Sequence, residues 1–234
     1  MNIFIKTYLT KAIIVGACSI ISYNILAQPQ GSALTTVLDY DSAVAPMVTV
    51  GSQSWLGKNL NVDHFSTGDA IPEAKTVDEW TRAGVNKQPV WCYYNNDPAY
   101  GRTYGRLYNW YAVTDPRGLA PQGWHIPSDE EWAVTIDFLN YLSEETTAGL
   151  SMKSTSGWNE NGNGNNGSGM AARPGGGRDA NGAFANRGFG GFWWSSSVDD
   201  PSNGRLRDLY YNYNKVDRIS ANKGCGFSVR CLRD

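Results

Sequence analysis

The sequence predicts a loop-rich domain of many short strands with a few capped helices, and three observations indicate it. The 234 residues include 26 glycines and few helix-forming runs, which favours short strands joined by long loops. Apolar and aromatic residues alternate near the end of the chain, as they do along half-buried strands. Residues 129–142 carry a clear helix-start signal. The length suffices for one large domain or two small ones with a well-buried core.

The first 27 residues have the layout of an export signal. Lys6 and Lys11 precede an apolar run over residues 12–26, and Ala27 supplies a small residue at the expected cleavage point. The run is too short and too broken for a membrane span. We therefore expect a mature chain without an integral membrane span. Residues 28–46 are expected to form a linker between the leader and the domain.

A second interpretation of the leader remains open. Residues 15–18 resemble the lipobox of bacterial lipoproteins, which would place a lipid on Cys18. On either interpretation we expect an exported protein that is secreted or held on the surface of a bacterium. The formal net charge is -2 and no basic patch or tail is present, so nucleic acid and anionic membrane are poor candidates as partners.

Two helix starts can be placed. Thr76 and Glu79 have the spacing of a capping box before a short helix, and Ser128 and Glu131 have the same spacing before the helix at 129–142. The expected buried stripe of the second helix consists of Trp132, Ile136 and Leu139, widened by Phe138 and Leu142.

Several strands can be placed as well. Residues 48–50 and 53–56 flank a Gly-containing turn and predict a hairpin. Residues 89–94 read as an aromatic strand, whereas residues 104–113 place apolar side chains at helical spacing. Residues 156–191 predict a long structured loop rich in Gly and Asn. After it, strands are expected at residues 209–213, 216–219 and 225–231, which together form a meander.

Trp193 and Trp194 stand where the Gly-rich loop enters the sheet. Neighbouring residues of a strand point to opposite faces, so the two indoles must serve two different surfaces. One can seal a core, and the other can meet a second layer or a ligand. With Tyr210, Tyr211 and Tyr213, they form the candidate ligand platform, because aromatic faces stack on sugars while Asn and Asp bond hydroxyl groups.

Export permits disulfides, and three cysteines follow the leader. If residues 225–231 form one strand, its ends lie about 20 Å apart, so Cys225 and Cys231 cannot bond each other. The spacing leaves the partner of Cys92 open; we expect Cys231, with Cys225 as a buried thiol. Such a bond would stabilise the fold by up to about 4–5 kcal/mol.

No metal or cofactor site can be read from the sequence. The cysteines and the two histidines, His64 and His125, lack ligand spacing. The Asn/Asp clusters at residues 95–97 and 199–203 are the only candidates for a calcium site, and turn chemistry explains both more simply.

Several short blocks follow one another in order along the chain, and together they are far more specific than any one of them. They are Trp55 and the residues 59–61 (NLN), 91–97 (WCYYNND), 104–113 (YGRLYNWYAV), 118–127 (GLAPQGWHIP), 174–176 (PGG), 193–196 (WWSS) and 226–231 (GFSVRC). In these blocks the chain resembles the Fibrobacter succinogenes major paralogous domain over residues 47–234.

The resemblance implies a C-type-lectin-like fold of the α+β class, with two helices beside a twisted, loop-rich antiparallel sheet and chain ends close together. It also implies a bacterial surface protein of the kind discussed in relation to attachment to polysaccharide. We therefore expect a non-catalytic binding module for a glycan or a surface protein. A structural component of the envelope or matrix is the alternative.

An enzyme is the less favoured class. The formylglycine-generating enzymes of the same group use a cysteine pair near the chain end, which Cys225 and Cys231 superficially resemble. Their spacing along one expected strand argues against a cooperating pair. The two histidines lie in unrelated segments, so no set of nucleophile, base and orienting group is readable, and no catalytic residue is assigned.

Overall fold

The computed structural model describes residues 46–143 and 147–234. The predicted export signal, Cys18 of the lipobox-like residues 15–18 and residues 28–45 of the predicted linker lie outside the described residues. The helices are α1 (Val77–Val85), α2 (Gly101–Tyr104), α3 (Trp110–Val113), α4 (Asp129–Ser143) and α5 (Ala148–Met152), with 3-10 turns at Tyr94–Asn96 and Pro98–Tyr100. The strands are β1 (Met47–Val50), β2 (Gln53–Leu56), β3 (Trp91–Cys92), β4 (Leu107–Asn109), β5 (Trp124–His125), β6 (Gly177–Arg178), β7 (Phe184–Ala185), β8 (Gly190–Val198), β9 (Asn203–Tyr210), β10 (Asp217–Asn222), β11 (Gly226–Phe227) and β12 (Leu232–Arg233).

The strands form three sheets, and every pairing between these strands is antiparallel. Their orders are β1-β2-β12-β5, β10-β9-β8 and β3-β4-β11-β6-β7. Among the described residues, only α1 and α4 are helices of two turns or more. The domain is therefore of the α+β class, as predicted. Arg233 Nη1 lies 3.5 Å from Met47 Sδ, so the two ends of the domain lie together.

Both predicted helix starts are confirmed. Glu79 N donates to Thr76 Oγ1 at 3.1 Å, and Thr76 N donates back to the Glu79 carboxylate at 2.9 Å. At α4, Glu131 N donates to Ser128 Oγ at 3.1 Å while Ser128 N donates to the Glu131 carboxylate at 2.8 Å. These reciprocal bonds satisfy the first amide groups of each helix and fix where it begins.

Strand β8 separates two hydrophobic cores. Phe192 and Trp194 point into the aromatic core, whose other buried members include Trp91, Tyr108, Leu206 and Val229. Trp193 points the opposite way into the helix core, which contains Trp55, Trp132, Ile136, Leu139 and Leu209. The predicted opposite orientation of the two tryptophans is confirmed, and each indole closes a different core.

Both indole N–H groups are bonded inside the protein. Trp194 Nε1 donates to the carbonyl of Tyr108 at 2.9 Å, and Trp193 Nε1 donates to Asn59 Oδ1 at 2.9 Å. A buried donor without such a partner would destabilise the fold. The bonds therefore connect β8 to β4 on one side and to the segment after β2 on the other.

Several element predictions are wrong in part. Gly105 has φ = 73°, which ends α2, and residues 107–109 then pair with β3 and β11 instead of continuing a helix. Residues 225–231 are not one strand, because β11 and β12 belong to different sheets. On α4, Phe138 and Leu142 are 37% and 62% exposed, so the buried stripe is narrower than predicted.

The predicted Cys92–Cys231 disulfide is wrong: Cys92, Cys225 and Cys231 are all free thiols in the described structure. The reason is the topology of the last segment. Cys231 precedes β12 and packs in the aromatic core, whereas Cys92 lies on β3 and packs with Trp80 and Leu107 in a third cluster of buried residues. Burial raises the pKa of both thiols to about 12.

Within the described residues, no helix combines the length and the apolar character needed to cross a membrane.

The position of the tryptophans generates a stability prediction. Trp193→Phe and Trp194→Phe should each lower the free energy of unfolding by about 2–4 kcal/mol, because each leaves a cavity and removes the donor of a buried hydrogen bond. Tyr211→Phe, at a half-buried position, is the matched control and should change it by less than about 1 kcal/mol. Urea denaturation followed by tyrosine and tryptophan fluorescence measures the difference, and a near-neutral result for either tryptophan would show that its core does not depend on it.

Candidate functional site

The predicted ligand platform divides into three parts. Trp193 and Trp194 are 2% and 0% exposed, and neither indole presents a face to solvent. Tyr211 packs against the helix core, with its ring edge-on to Phe189 at 5.3 Å between centroids. Tyr210 and Tyr213 are both half-buried and lie together on the other side of the sheet. Of the five predicted residues, the structure brings only Tyr210 and Tyr213 together at the surface.

Tyr210 and Tyr213 form a pair of rings at the end of β9. Their centroids are 5.8 Å apart and their planes are tilted by 38°. Tyr210 is held edge-on by Phe192 of β8, with centroids 5.6 Å apart and an interplanar angle of 85°. The Tyr210 ring is therefore fixed by the aromatic core, while part of each ring remains accessible.

Two carboxyl groups lie beside this pair. Asp208 on β9 is the direct cross-strand partner of Asp217 on β10, so their side chains share a face of the sheet. Asp208 is two residues from Tyr210 and therefore points to the same side. We call Asp208, Tyr210, Tyr213 and Asp217 the tyrosine patch.

Asp208 is in an unfavourable environment for a carboxylate. It is only 4% exposed, and its Oδ1 atom has no hydrogen-bond partner among the described residues. Burial, reinforced by the nearby charge of Asp217, raises the pKa of Asp208 to about 6. A buried acceptor without a partner destabilises a fold, so the charged form of Asp208 lowers the stability of the domain.

Asp217 has the opposite environment. Burial opposes its charge, but hydrogen bonds from Lys215 and from the Tyr213 hydroxyl outweigh that effect and lower the pKa of Asp217. The Lys215 ammonium lies 2.5 Å from its Oδ1. Burial and the bond to Asp217 also raise the pKa of Tyr213 well above its usual value, so its hydroxyl keeps its proton. The patch thus offers one charged acceptor, one weakly acidic carboxyl group and two aromatic faces.

The loop that carries Tyr213 is anchored from below by α5. Gly149 N donates to the carbonyl of Asn214 at 2.8 Å, and Lys153 Nζ donates to the carbonyl of Tyr213 at 2.5 Å. Lys153 is 1% exposed, and burial lowers its pKa to about 8. A buried ammonium group that bonds a loop carbonyl fixes the loop, so Tyr213 is positioned by the scaffold and not only by its own turn.

The two histidines lie at separate places and have local carboxylate partners. His64 is exposed and its Nδ1 lies 2.7 Å from Asp63 Oδ1. His125 bonds Asp234 through Nδ1 at 2.7 Å and Glu131 through Nε2 at 3.0 Å. Burial opposes protonation of His125, but these two bonds outweigh it and raise its pKa.

Asp97 and Asp200, one in each Asn/Asp cluster, use their carboxylate oxygens within their own turns. Asp97 accepts from Ala99 N at 2.9 Å at the start of a 3-10 turn. Asp200 accepts from Ser202 N at 2.7 Å and from Asn203 N and Nδ2 at 2.9 and 2.8 Å. Over the residues that the structure describes, no three His, Cys, Asp or Glu side chains are grouped so that they could hold a metal ion.

Asp208 and Asp217 are not among the site residues predicted from the sequence. A signal for the first was present, because Asp208 alternates with Leu206 and Tyr210 on a strand face that is otherwise apolar. The second depends on the register between β9 and β10, which no local pattern in the two strands specifies.

Comparison with known proteins places the chain in one family. Residues 48–233 match the Fibrobacter succinogenes major domain, and the chain belongs to this family. The predicted family is thereby confirmed over almost the whole described domain. No curated protein matches the chain, and no solved structure matches it. The architecture is accordingly described by its own sheets and helices, as an α+β domain with antiparallel strands.

The environment of Asp208 generates a pH-dependent prediction. Its pKa is raised from 3.8 to about 6 on folding, so both states hold the proton below about pH 4. As the pH rises through about 6, the unfolded chain releases this proton more readily and the folded state loses stability, by about 3 kcal/mol at full effect. Asp208→Asn should therefore stabilise the protein at pH 7.5 and change little at pH 4.

Urea unfolding at both pH values measures this difference. Asp137→Asn, on the exposed face of α4, is the matched control and should be close to neutral at both. An equal gain for Asp208→Asn at pH 4 and pH 7.5 would contradict the burial of an ionisable carboxyl group.

Proposed function

We propose that the protein is an exported, non-catalytic carbohydrate-binding module of the cell surface and that the tyrosine patch is its sugar-binding surface. The observation that carries the proposal is the pair of partly exposed rings beside two carboxyl groups, one of which has an oxygen without a partner. Aromatic faces bury the C–H faces of a sugar ring, and carboxyl oxygens accept hydrogen bonds from its hydroxyl groups.

The charge of the patch selects the kind of sugar. Asp208 and Asp217 lie on one face, and Lys215 is the nearby cation that bonds Asp217. A ligand with carboxylate or sulfate groups would add a like charge to this pair, which disfavours binding. A neutral sugar unit adds only hydroxyl donors, and a bond to Asp208 Oδ1 would satisfy its unused acceptor. The proposed ligand is therefore a neutral polysaccharide.

The raised pKa values of the cysteine thiols support a role in which no cysteine acts as a nucleophile. Burial raises the pKa of Cys231 to about 12 and also raises the pKa of Cys225, so both are protonated at neutral pH. A thiol reacts as its thiolate, and a buried protonated thiol is a poor nucleophile. The cysteine pair that the formylglycine-generating enzymes use therefore has no functional counterpart in this proposal.

The leader supports the proposed location. Lys6, Lys11 and the apolar residues 12–26 have the layout of an export signal, and the lipobox at Cys18 offers a second route to the cell surface. A neutral polysaccharide outside the cell would be the natural ligand at either location. Attachment of the cell to such a polymer is the biological role that we propose.

The tyrosines provide the test. Tyr213→Ala and Tyr210→Ala should each weaken binding to a neutral polysaccharide about 5- to 20-fold, since each removes a stacking face worth about 1–2 kcal/mol. Tyr211→Ala is the matched control, because Tyr211 has similar exposure but lies on the other side of the sheet. Affinity electrophoresis in gels that contain β-glucan, galactomannan or dextran measures the effect.

Three outcomes would count against the proposal. If Tyr211→Ala weakened polysaccharide binding equally, the site would lie elsewhere. If no polysaccharide retarded the protein in the gel, the alternative of a structural component of the envelope or matrix would be favoured. Two carboxyl groups with separated pKa values also occur in glycoside hydrolases. Release of reducing ends from a bound polysaccharide, lost in Asp217→Asn, would therefore contradict a non-catalytic role.

A further inference from the structure

A second concave surface lies away from the tyrosine patch. It is a pocket of about 360 Å³ between the segment after β2, the α2 region and the loop before Pro174. Four cationic side chains line it, and no acidic residue is among its described lining residues. We call it the cationic pocket. Its cations are Lys58, Arg102, Arg173 and Arg230.

Segments far apart in the sequence converge on this pocket. Asn59 and Asn61 come from one of the blocks that carry the family resemblance, Gly105 from a second and Arg230 from the last. Arg173 immediately precedes a further block, at residues 174–176. The pocket is therefore built by the fold and is not a gap within one loop.

Arg230 forms the buried part of the wall. It is 3% exposed, and Nη1 donates to the carbonyls of Leu56 and Met170 at 3.0 and 2.8 Å. Nε and Nη2 donate to Asn59 Oδ1 at 3.3 and 2.9 Å. All of these acceptors are neutral. Of the five N–H groups of the guanidinium, one on Nη2 has no partner among the described residues.

The charge of Arg230 is therefore uncompensated within the described chain. A buried cation is unfavourable unless an anion is nearby, and burial lowers the pKa of Arg230 to about 10. Lys58 and Arg173, at the more open side, form no ion pair with a described acidic residue. An anionic group that entered the pocket would meet three cations that lack a carboxylate partner.

Asn61 supplies a second, independent feature of the pocket. It is 9% exposed, and its Oδ1 atom has no hydrogen-bond partner among the described residues. This oxygen is an acceptor, so it cannot bond an anion and instead fits a hydroxyl donor. The wall thus presents cations for an oxyanion and a neutral acceptor for a hydroxyl group.

We propose that the cationic pocket binds a carboxylate group that has a hydroxyl group beside it, which is the chemistry of a hexuronate unit of an acidic polysaccharide. The carboxylate contacts Arg173, Lys58 and the unused N–H of Arg230, and a neighbouring hydroxyl donates to Asn61 Oδ1. This site is separate from the tyrosine patch and opposite to it in charge, so it does not rest on the sugar-binding role of that patch.

The test is isothermal titration calorimetry of the full-length protein with D-glucuronate and with D-glucose at low and at physiological salt. Glucuronate should bind, and its affinity should fall at higher salt, because salt screens the attraction between charges. Glucose should not bind. Arg173→Gln should lower the affinity for glucuronate about tenfold, which is the loss expected for one charge-assisted hydrogen bond. Lys87→Gln removes the same charge at an exposed position outside the pocket and should leave the affinity unchanged.

Further arms separate the sources of the anion. Polygalacturonate should bind at least as tightly per site as glucuronate. If sulfate bound as tightly as glucuronate, the requirement for a sugar would be overturned. Asn61→Leu should lower the affinity for glucuronate, whose hydroxyl group loses its acceptor, but not the affinity for sulfate. Arg173 is not an anchor of the core, so a folded Arg173→Gln variant that binds glucuronate with undiminished affinity would also overturn the proposal.

The two sites fail independently. Tyr213→Ala should leave glucuronate binding unchanged, and Arg173→Gln should leave neutral polysaccharide binding unchanged. If Tyr213→Ala abolished both, the cationic pocket would not be a separate site.

Discussion

The structure depends on one strand that must satisfy two cores at once. Trp193 and Trp194 are adjacent on β8, so the geometry of a strand sends their side chains to opposite faces. Each indole is fully buried and each N–H finds a partner from a distant segment. A shift of the register by one residue would exchange the two side chains between cores of different shape. The register of the neighbouring β9, and with it the position of Asp208 and Tyr210, follows from this constraint.

The same strand also connects to the cationic pocket. Asn59 Oδ1 accepts from Trp193 and from two nitrogens of Arg230, so a single amide oxygen joins the helix core to the pocket wall. Under the tyrosine patch, the buried ammonium group of Lys153 similarly donates a hydrogen bond to the carbonyl of Tyr213. In both places a buried cation bonds neutral oxygens, and the surface group that it supports is positioned by the scaffold. A buried cation without an anion beside it lowers the stability of the fold, so each arrangement depends on these hydrogen bonds.

Local chemistry predicted those elements whose ends are set by neighbouring residues. The capping boxes at Thr76 and Ser128 need only four residues each, and both helix starts are as predicted. The segment 107–109 was mispredicted as helix because its apolar spacing fits both states, and pairing with two distant strands decides between them. The disulfide prediction was wrong because Cys92 and Cys231 pack in different clusters of buried residues, which no local pattern specifies. Tyr210 and Tyr213 could be proposed from composition, whereas Asp217, Asn61 and the uncompensated charge of Arg230 arise only when remote segments meet.

A sugar bound at the tyrosine patch would contact the rings of Tyr210 and Tyr213. Aromatic ¹H–¹³C spectra of protein labelled at tyrosine, recorded during titration with a neutral oligosaccharide such as cellohexaose or mannohexaose, test it most directly. The ring signals of Tyr210 and Tyr213 should shift together with a common affinity, while those of Tyr211 and the buried Tyr108 should stay in place. Saturable shifts that spare Tyr210 and Tyr213, or no shift with any neutral oligosaccharide, would contradict it.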